Sequence, residues 1–146
     1  MGYNAYAPAA VGLLDKVIGV SGNYWFKWND AGPMETGYDG NLQSVQAITK
    51  FKGKFYYGYG FPTNTIGGKR IFRSSTFPPA SKEVVNGVDF PGGPSNRYAS
   101  FWRSPDGNAL LYGGSDANGV PYIKKVPAAS ASSFVALGIV VGIRVA

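Results

Sequence analysis

The sequence predicts an all-β fold, an antiparallel meander arranged as a sandwich or a barrel, and three observations favour this class. Short segments rich in aromatic and β-branched residues recur along the chain, and such residues fit a pleated, half-buried surface. Turn-forming pairs such as Lys52-Gly53, Asp106-Gly107 and Asn118-Gly119 separate several of these segments. Apolar residues at helical spacing are confined to one short stretch, so we expect at most one short helix.

The elements follow in chain order. Residues 1–10, MGYNAYAPAA, are expected to form an extended N-terminal arm. In residues 13–18 the apolar side chains have the spacing of one helix face, but KVIGV fits a strand equally well, and both interpretations stay open. Residues 29–41 are predicted to be a loop without apolar periodicity, and residues 77–96 a long irregular loop rich in Pro and Gly. Further strands are predicted at 23–28, 44–51, 54–60, 69–74, 98–104, 108–114 and 121–126.

The chain is expected to form one β-rich domain spanning residues 1–146. Its segment 134–146, FVALGIVVGIRVA, is apolar, with Arg144 as its single charge. A membrane helix needs about 20 such residues, so we predict no membrane span. The β-branched content favours strands that are buried or lie at an interface. The candidate assembly residues are Phe134, Val135, Leu137, Ile139, Val140, Val141 and Ile143.

Composition excludes several classes of function. The chain has no Cys and no His, which removes disulfides, zinc ribbons, iron–sulfur clusters, thiol catalysis and the commonest general base. We therefore predict no catalytic residue, no cofactor and no metal site. Three Asp-x-Asn triplets lack the later Glu of a calcium loop and are predicted to be turns. No signal peptide is recognised at the start of the sequence.

Two residue patterns suggest ligands. Aromatic side chains can stack on sugar rings while Asp and Asn hold hydroxyl groups, so a glycan is a possible partner. Lysines at 50, 52 and 54 alternate with phenylalanines, and such a basic and aromatic face can hold single-stranded nucleic acid. A solvated outer face over a packed aromatic core explains the same pattern. The candidate ligand-binding residues are Trp25, Trp28, Tyr57, Tyr59 and Trp102.

Residues 100–126, SFWRSPDGNALLYGGSDANGVPYIKKV, resemble one blade of the β-propellers that carry a Ser-Pro-Asp-Gly turn. The resemblance implies propeller-like blades as a third arrangement of the meander, and it implies no catalytic residue. A complete propeller needs at least four blades of about 40 residues, so several chains would have to close one together; otherwise the segment is a plain meander. The matching residues are Ser104, Pro105, Asp106, Gly107, Leu110, Tyr112, Gly119 and Ile123.

A second stretch is similar in pattern. Residues 53–69 and 107–124 share the order of turn, aromatic strand ending in Gly, loop, Gly-containing turn, and strand with a basic residue. This order is typical of a repeated supersecondary unit, although shared turn chemistry alone can produce it.

These observations together predict a non-enzymatic structural protein that assembles with copies of itself or with other chains. Its Gly- and aromatic-rich, cysteine-free composition resembles that of phage virion proteins, in particular capsid decoration and tail components, which implies a location in a virion or on a particle surface. The alternatives are a carbohydrate-binding, lectin-like module and a β-barrel that binds single-stranded nucleic acid.

Overall fold

The computed structural model describes residues 9–43, 45–59, 71–85, 100–115, 120–126 and 135–136. Within these residues the regular structure consists of twelve β-strands and one turn of 3₁₀ helix, Gly40–Leu42. The strands form three four-stranded antiparallel sheets. The predicted all-β meander is therefore confirmed.

Each sheet is a contiguous part of the chain, and each strand pairs with its neighbours in sequence. Sheet 1 contains β1 (Ala9–Gly12), β2 (Val17–Ser21), β3 (Tyr24–Trp28) and β4 (Glu35–Tyr38). Sheet 2 contains β5 (Val45–Phe51), β6 (Lys54–Tyr59), β7 (Ile71–Ser74) and β8 (Glu83–Val85). Sheet 3 contains β9 (Ser100–Arg103), β10 (Leu110–Ser115), β11 (Pro121–Val126) and β12 (Val135–Ala136).

The predicted tight turn between β5 and β6 is present. Lys52 has φ 44° and Gly53 has φ 79°, and Phe51 pairs directly with Lys54. Two central residues with positive φ are the signature of a type I′ hairpin, whose twist matches that of the flanking strands. The turn fixes the register of the longest strand pair of sheet 2.

Four predicted segments differ from the structure or are decided by it. Residues 29–41 are not all loop, because β4 lies within them and pairs with β3. The ambiguous segment around Val17 is a strand, since β2 pairs with both β1 and β3. In the expected arm, residues 9 and 10 begin β1, while residues 1–8 lie outside the described part. In the expected loop 77–96, β8 occupies three positions and residues 86–96 are not described.

Sheet 2 lies between the other two sheets. Its side chains alternate between two core clusters, so that Phe55 and Tyr57 pack towards sheet 1 while Tyr56 and Ile71 pack towards sheet 3. Sheet 1 contributes Ile18 and Val20 to the first cluster, and sheet 3 adds its own apolar residues to the second. Phe77, which follows β7, packs in the core between sheets 1 and 2. Its ring centroid lies 5.9 Å from that of Phe55 and 6.0 Å from that of Trp25. Both faces of sheet 2 are therefore buried.

The sheets lie closest together at their first strands. Strand β5 contacts both β1 and β9, and these are the most extensive contacts between sheets. Gly58 on β6 allows the rings of sheet 3 to approach, since a Cβ atom there would lie 2.9 Å from the Tyr112 ring. The three sheets thus spread from a common narrow side formed by β1, β5 and β9.

None of the helices in the described residues is long and apolar enough to cross a membrane.

Candidate functional site

The outer face of sheet 1, which points away from sheet 2, carries a row of aromatic side chains. In β2 and β3 the residues Ile18, Val20 and Trp25 point towards the core, so alternation places Tyr24, Phe26 and Trp28 on the opposite face. The pairing of β3 with β4 adds Tyr38 opposite Tyr24. We call this surface the aromatic face; it consists of Gly19, Tyr24, Phe26, Trp28 and Tyr38.

Most of the aromatic face is exposed. The exposed fraction is 59% for Tyr24, 65% for Tyr38 and 43% for Trp28. The Tyr24 and Tyr38 rings meet edge to face, with centroids 5.5 Å apart. Phe26 lies across Gly19, where a Cβ atom would come within 2.3 Å of its ring. Register assigns no charged residue to this face of β1 to β4, so the surface is uncharged, and Ser21 and Thr36 add hydroxyl groups beside its aromatic rings.

The outer face of sheet 3 is smaller and mixed in character. Trp102 on β9 is 41% exposed and stands opposite the partly buried Leu111 on β10. Lys125 on β11 pairs with Leu111 from the other side and is exposed. Ile123 on the same face is buried. The exposed part of this face is thus a tryptophan and a leucine beside a lysine.

The first strands of the three sheets line an open groove of about 480 Å³ formed by residues 9–11, 46–49 and 100–102. We call it the central groove. Trp102 and the partly buried Phe101 lie at its sheet 3 wall, and Gln46 and Thr49 contribute polar groups from sheet 2. Backbone and small side chains of β1 form the remaining wall. The groove joins all three sheets, and no catalytic set of side chains lines it.

A second open cavity, of about 460 Å³, lies at one end of sheet 1 between residues 13–17 and 28–31. We call it the end cavity. It combines an apolar wall, from Leu13 and the exposed Trp28, with the polar groups of Lys16, Asn29 and Asp30. Lys16 Nζ also lies 3.0 Å from Asp15 Oδ2. A flat ring beside carboxylate, amide and ammonium groups suits a ligand that is apolar on one face and hydroxylated at its edge.

The structure separates the five predicted ligand-binding residues into two groups. Trp28 and Trp102 are exposed, on opposite ends of the three-sheet stack. Tyr57 and Tyr59 are fully buried in the core between sheets 1 and 2, where no ring face is open to a ligand. Trp25 is partly buried against the same core. Of the predicted ligand-binding residues, only Trp28 and Trp102 therefore present an exposed ring.

The candidate assembly residues fall almost entirely outside the described part of the chain. Val135 lies in β12, where it pairs with Lys125 of β11. The other predicted positions are not described; they are Phe134, Leu137, Ile139, Val140, Val141 and Ile143. The pairing of β12 places Val135 and Ala136 of the apolar segment at the edge of sheet 3.

The basic residues of β5 and β6 make contacts within the chain. Lys50 Nζ lies 5.3 Å from the Phe55 ring centroid, and Lys52 Nζ donates a hydrogen bond to the Asn108 carbonyl oxygen at 3.0 Å. Lys54 Nζ is 2.9 Å from a carboxylate oxygen of Glu83. These cations connect strands and sheets. The described strands also form three separate sheets rather than one closed barrel, so the nucleic-acid alternative gains no support from this part of the chain.

Five of the acidic residues in the described part bond to neighbouring groups. Asp106 accepts from the Ser104 hydroxyl group and from the Asn108 backbone N–H at 3.0 Å, and these bonds, led by that from Ser104, lower its pKa to about 2. Burial would raise the pKa of Asp39, but hydrogen bonds from Lys82 and from the Asn41 backbone lower it below its usual value. The other three are Asp15, Glu35 and Glu83.

Most of these acidic residues therefore stabilise turns or contacts between strands. The Asp-x-Asn turns at 39–41 and 106–108 have the same form, in which the carboxylate accepts from the Asn backbone and side-chain amide groups. The Lys82 Nζ–Asp39 Oδ2 distance of 2.7 Å ties the segment after β7 to the end of sheet 1. No group of three metal-ligating side chains of the kind that holds an ion occurs in the described residues.

Compared with protein-family models, with curated proteins and with solved structures, the chain has no match in any of the three. The function is therefore argued from its surfaces.

Of the four rings on the aromatic face, the predicted ligand-binding residues include only Trp28. Tyr38 was assigned to a loop because the short β4 segment, Glu35–Tyr38, has no apolar alternation. Phe26 was recognised as a strand residue but not as a surface one. The signal was present in β3, where Tyr24, Phe26 and Trp28 recur at every second position, the period of one sheet face.

Proposed function

We propose that this chain is a non-enzymatic assembly protein that binds a second copy of itself through the aromatic face of sheet 1. The observation that carries the proposal is the exposure of Tyr24, Trp28 and Tyr38 on a sheet face without charged residues. Large contiguous apolar patches of this kind mark interaction surfaces on soluble proteins. Tyr and Trp are also enriched at the centres of protein interfaces, where they contribute most of the binding energy.

Packing inside the chain supports a protein partner with a sheet of its own. The aromatic face has the composition of the surfaces that sheet 2 presents to its neighbours, where Tyr56, Tyr57 and Phe72 are buried. At those two interfaces one sheet packs on another, and aromatic rings fill the space between them. The aromatic face is a surface of the same kind that no sheet of the described residues covers. A sheet of a second copy would cover it with side chains of a similar type.

The sequence chemistry fits a role in binding rather than catalysis. The chain has neither His nor Cys, and Asp39, Glu83 and Asp106 are held by hydrogen bonds that stabilise turns and joints. A catalytic carboxylate needs a partner group and space for a substrate. These carboxylates have structural partners instead.

Sedimentation equilibrium of the full chain over a range of concentrations tests the assembly. We expect a mass that is a multiple of the 15.5 kDa chain mass. The double variant Tyr24→Ser/Tyr38→Ser should weaken association by about thirtyfold or more, because loss of one aromatic group at an interface costs about 2 kcal/mol. Met34→Ser is the matched control, since Met34 is exposed but lies in the loop between β3 and β4. A wild-type chain that remains a monomer at high concentration would refute the proposal.

Deletion of residues 134–146 tests the contribution of the candidate assembly segment. Since β12 lies at the edge of sheet 3, the deletion should weaken association without abolishing the β-sheet signal in circular dichroism. Association equal to that of the full chain would show that Phe134 and the residues after it are not needed for assembly.

We further propose that the assembly is part of a virus particle, as a capsid decoration or tail component of a phage. The support is the resemblance of composition, a cysteine-free chain rich in Gly and aromatic residues, together with a surface suited to joining subunits. Peptide mass spectrometry of purified particles whose genome encodes this sequence tests the location. Particles that lack peptides of the chain while the infected cell contains them would refute it.

The end cavity favours a second candidate function, the binding of a sugar ring. The Trp28 indole ring would contact the apolar face of a pyranose, while Asp30 and Asn29 have oxygen atoms for its hydroxyl groups. A glycan array followed by calorimetry tests this function. Binding should be lost in Trp28→Ala and retained in the control Trp102→Ala, which alters an exposed tryptophan outside the cavity. Absence of binding across the array, or equal loss in both variants, would contradict it.

A further inference from the structure

We infer, building on the self-assembly proposed above, that two copies join head to tail: the aromatic face of each copy packs on the outer face of sheet 3 of the other, closing a ring of six sheets. In this arrangement the partner surface is the outer face of sheet 3, and the assembly contains two copies. Three features of the described residues carry the inference.

The first feature is the direction of the stack. Sheet 1 covers one face of sheet 2 and sheet 3 covers the opposite face. Each sheet therefore has a face for the sheet before it and a different face for the sheet after it. Among the described residues, the two faces without a neighbouring sheet lie at the two ends of the stack; they are the aromatic face of sheet 1 and the outer face of sheet 3. A further sheet that followed in the same way as sheet 2 follows sheet 1 and sheet 3 follows sheet 2 would lie on one of these two faces.

The second feature is the fan shape of the stack. The first strands β1, β5 and β9 approach each other most closely and line the central groove. Repeating a step of this kind moves each new sheet around an axis instead of along a line. Four-stranded antiparallel sheets around a central channel are the arrangement of β-propellers, which close with four to eight sheets. Three sheets leave the ring open, two copies supply six, and three copies would exceed that range.

The third feature is the match between the two faces. Trp102 and Leu111 offer an apolar surface to the rings of Tyr24 and Phe26, and Lys125 brings a cation to an aromatic surface that has no charge of its own. The same combination occurs in the joint between sheets 2 and 3, where the Arg103 guanidinium lies 5.9 Å from the Phe51 ring centroid. A cation over an aromatic ring is favourable, and the more so the further both groups are removed from water.

Ring closure also makes the association cooperative. A head-to-tail pair of two copies forms two identical joints, and formation of the first brings the second pair of faces together at high effective concentration. By contrast, contact between two aromatic faces would form one joint and leave both sheet 3 faces uncovered. Heterologous contacts either close into rings or continue as filaments, and the fan shape favours closure.

The absence of Cys from the chain allows a direct test by site-directed cross-linking. Thr36→Cys introduces a thiol on the outer face of sheet 1, and Lys125→Cys introduces one on the outer face of sheet 3; both positions are exposed at their strands. The two variants are co-expressed as full chains and treated with a bis-maleimide. Ser75→Cys replaces Lys125→Cys as the control, because Ser75 is exposed beside sheet 2 rather than on an end face.

Head-to-tail closure predicts a covalent dimer when Thr36→Cys and Lys125→Cys are combined. Neither variant alone, nor Thr36→Cys with Ser75→Cys, should give one. Sedimentation equilibrium of the wild type should give twice the 15.5 kDa chain mass. A dimer from Thr36→Cys alone would show contact between two aromatic faces, and a mass above two chains would exclude the six-sheet ring; either result overturns this inference while leaving self-assembly in place. A monomeric wild type would instead refute the proposed function itself.

Discussion

Replacement of Glu83 by Gln probes the joint that holds the last strands of sheet 2 together. The Glu83 carboxylate accepts hydrogen bonds from Arg73 Nε at 2.9 Å and Arg73 Nη2 at 2.7 Å, and Lys54 Nζ approaches it at 2.9 Å. The Arg73 side chain is only 3% exposed, whereas that of Glu83 is 37% exposed. Glutamine keeps the size of the side chain and one acceptor oxygen but removes the negative charge.

The cost of this change follows from the burial of Arg73. Removal of one partner from a fully buried ion pair costs about 3–5 kcal/mol, because the remaining charge is left without compensation. Since more than a third of the Glu83 side chain is exposed, water already screens part of the interaction, and roughly half of that value remains. We therefore expect the free energy of unfolding to fall by about 2 kcal/mol, which corresponds to a decrease in Tm of about 4–8 °C for a chain of this length.

The effect should depend on pH. Hydrogen bonds from Arg73, and then from Lys54, lower the pKa of Glu83 to about 2, compared with 4.5 in the unfolded chain. The contribution of Glu83 to stability is therefore fully present above pH 4.5 and is lost as the pH falls towards 2. The difference between wild type and Glu83→Gln should shrink over the same range.

Urea unfolding at pH 7, 4.5, 3 and about 2 measures both effects. Glu35→Gln is the matched control, since Glu35 pairs with Lys27 at 2.9 Å but its side chain is 56% exposed; an exposed pair of this kind contributes less than about 1 kcal/mol. Equal losses in the two variants, or a difference for Glu83→Gln that does not change with pH, would refute the reasoning.

Three further predictions concern the cores and turns. Tyr57→Phe should raise the free energy of unfolding by about 1 kcal/mol, because the buried Tyr57 hydroxyl group has no hydrogen-bond partner among the described residues. Burial also raises the pKa of Tyr57, so the wild type should lose more stability than the variant above pH 10. Calorimetric scans at pH 7 and 11 check both, and a less stable variant would contradict them. Gly37→Ala should lower the free energy of unfolding by about 1–3 kcal/mol, since its Cβ would lie 2.4 Å from the Trp25 ring. Gly12→Ala, whose Cβ would have no atom within 4 Å, is the control in urea unfolding. Similar losses in the two variants would show that the Trp25 ring moves aside. Asp106→Ala should lower Tm, because it removes the acceptor for Ser104 and Asn108. An unchanged Tm in a thermal scan would show that the backbone alone stabilises this turn.

Much of the fold is predictable because the long strands have a local signal. Strands β3, β5 and β6 contain aromatic or β-branched residues in runs, and a glycine turn separates β5 from β6. The short strands lack such a signal. Strand β4, with the sequence ETGY, forms because β3 offers it a partner rather than because of its own propensity. Strand β2 has β-branched residues of its own, and its pairing with β1 and β3 decides between the helix and the strand that its sequence allows equally.

The candidate site is predictable only in part, for a reason that lies in sheet 2. Alternation along a strand distinguishes two faces, but it does not show which face is buried when both are apolar. Tyr57 and Tyr59 lie on β6 in the middle sheet, whose two faces are covered, so they are core residues. Trp28 and Trp102 lie on sheets at the ends of the stack and remain exposed. Position in the stack, which depends on contacts between sheets, decides the difference.

The pairing of every strand with its neighbours in sequence has a consequence for how the protein forms and changes. Because the strands of each sheet come from one segment of the chain, each sheet can form within its own segment before the three come together. The equivalent placement of β6 and β10, each the second strand of its sheet, is what duplication of a single ancestral unit produces. Gain or loss of one such unit would lengthen or shorten the stack of sheets without disturbing any existing hairpin.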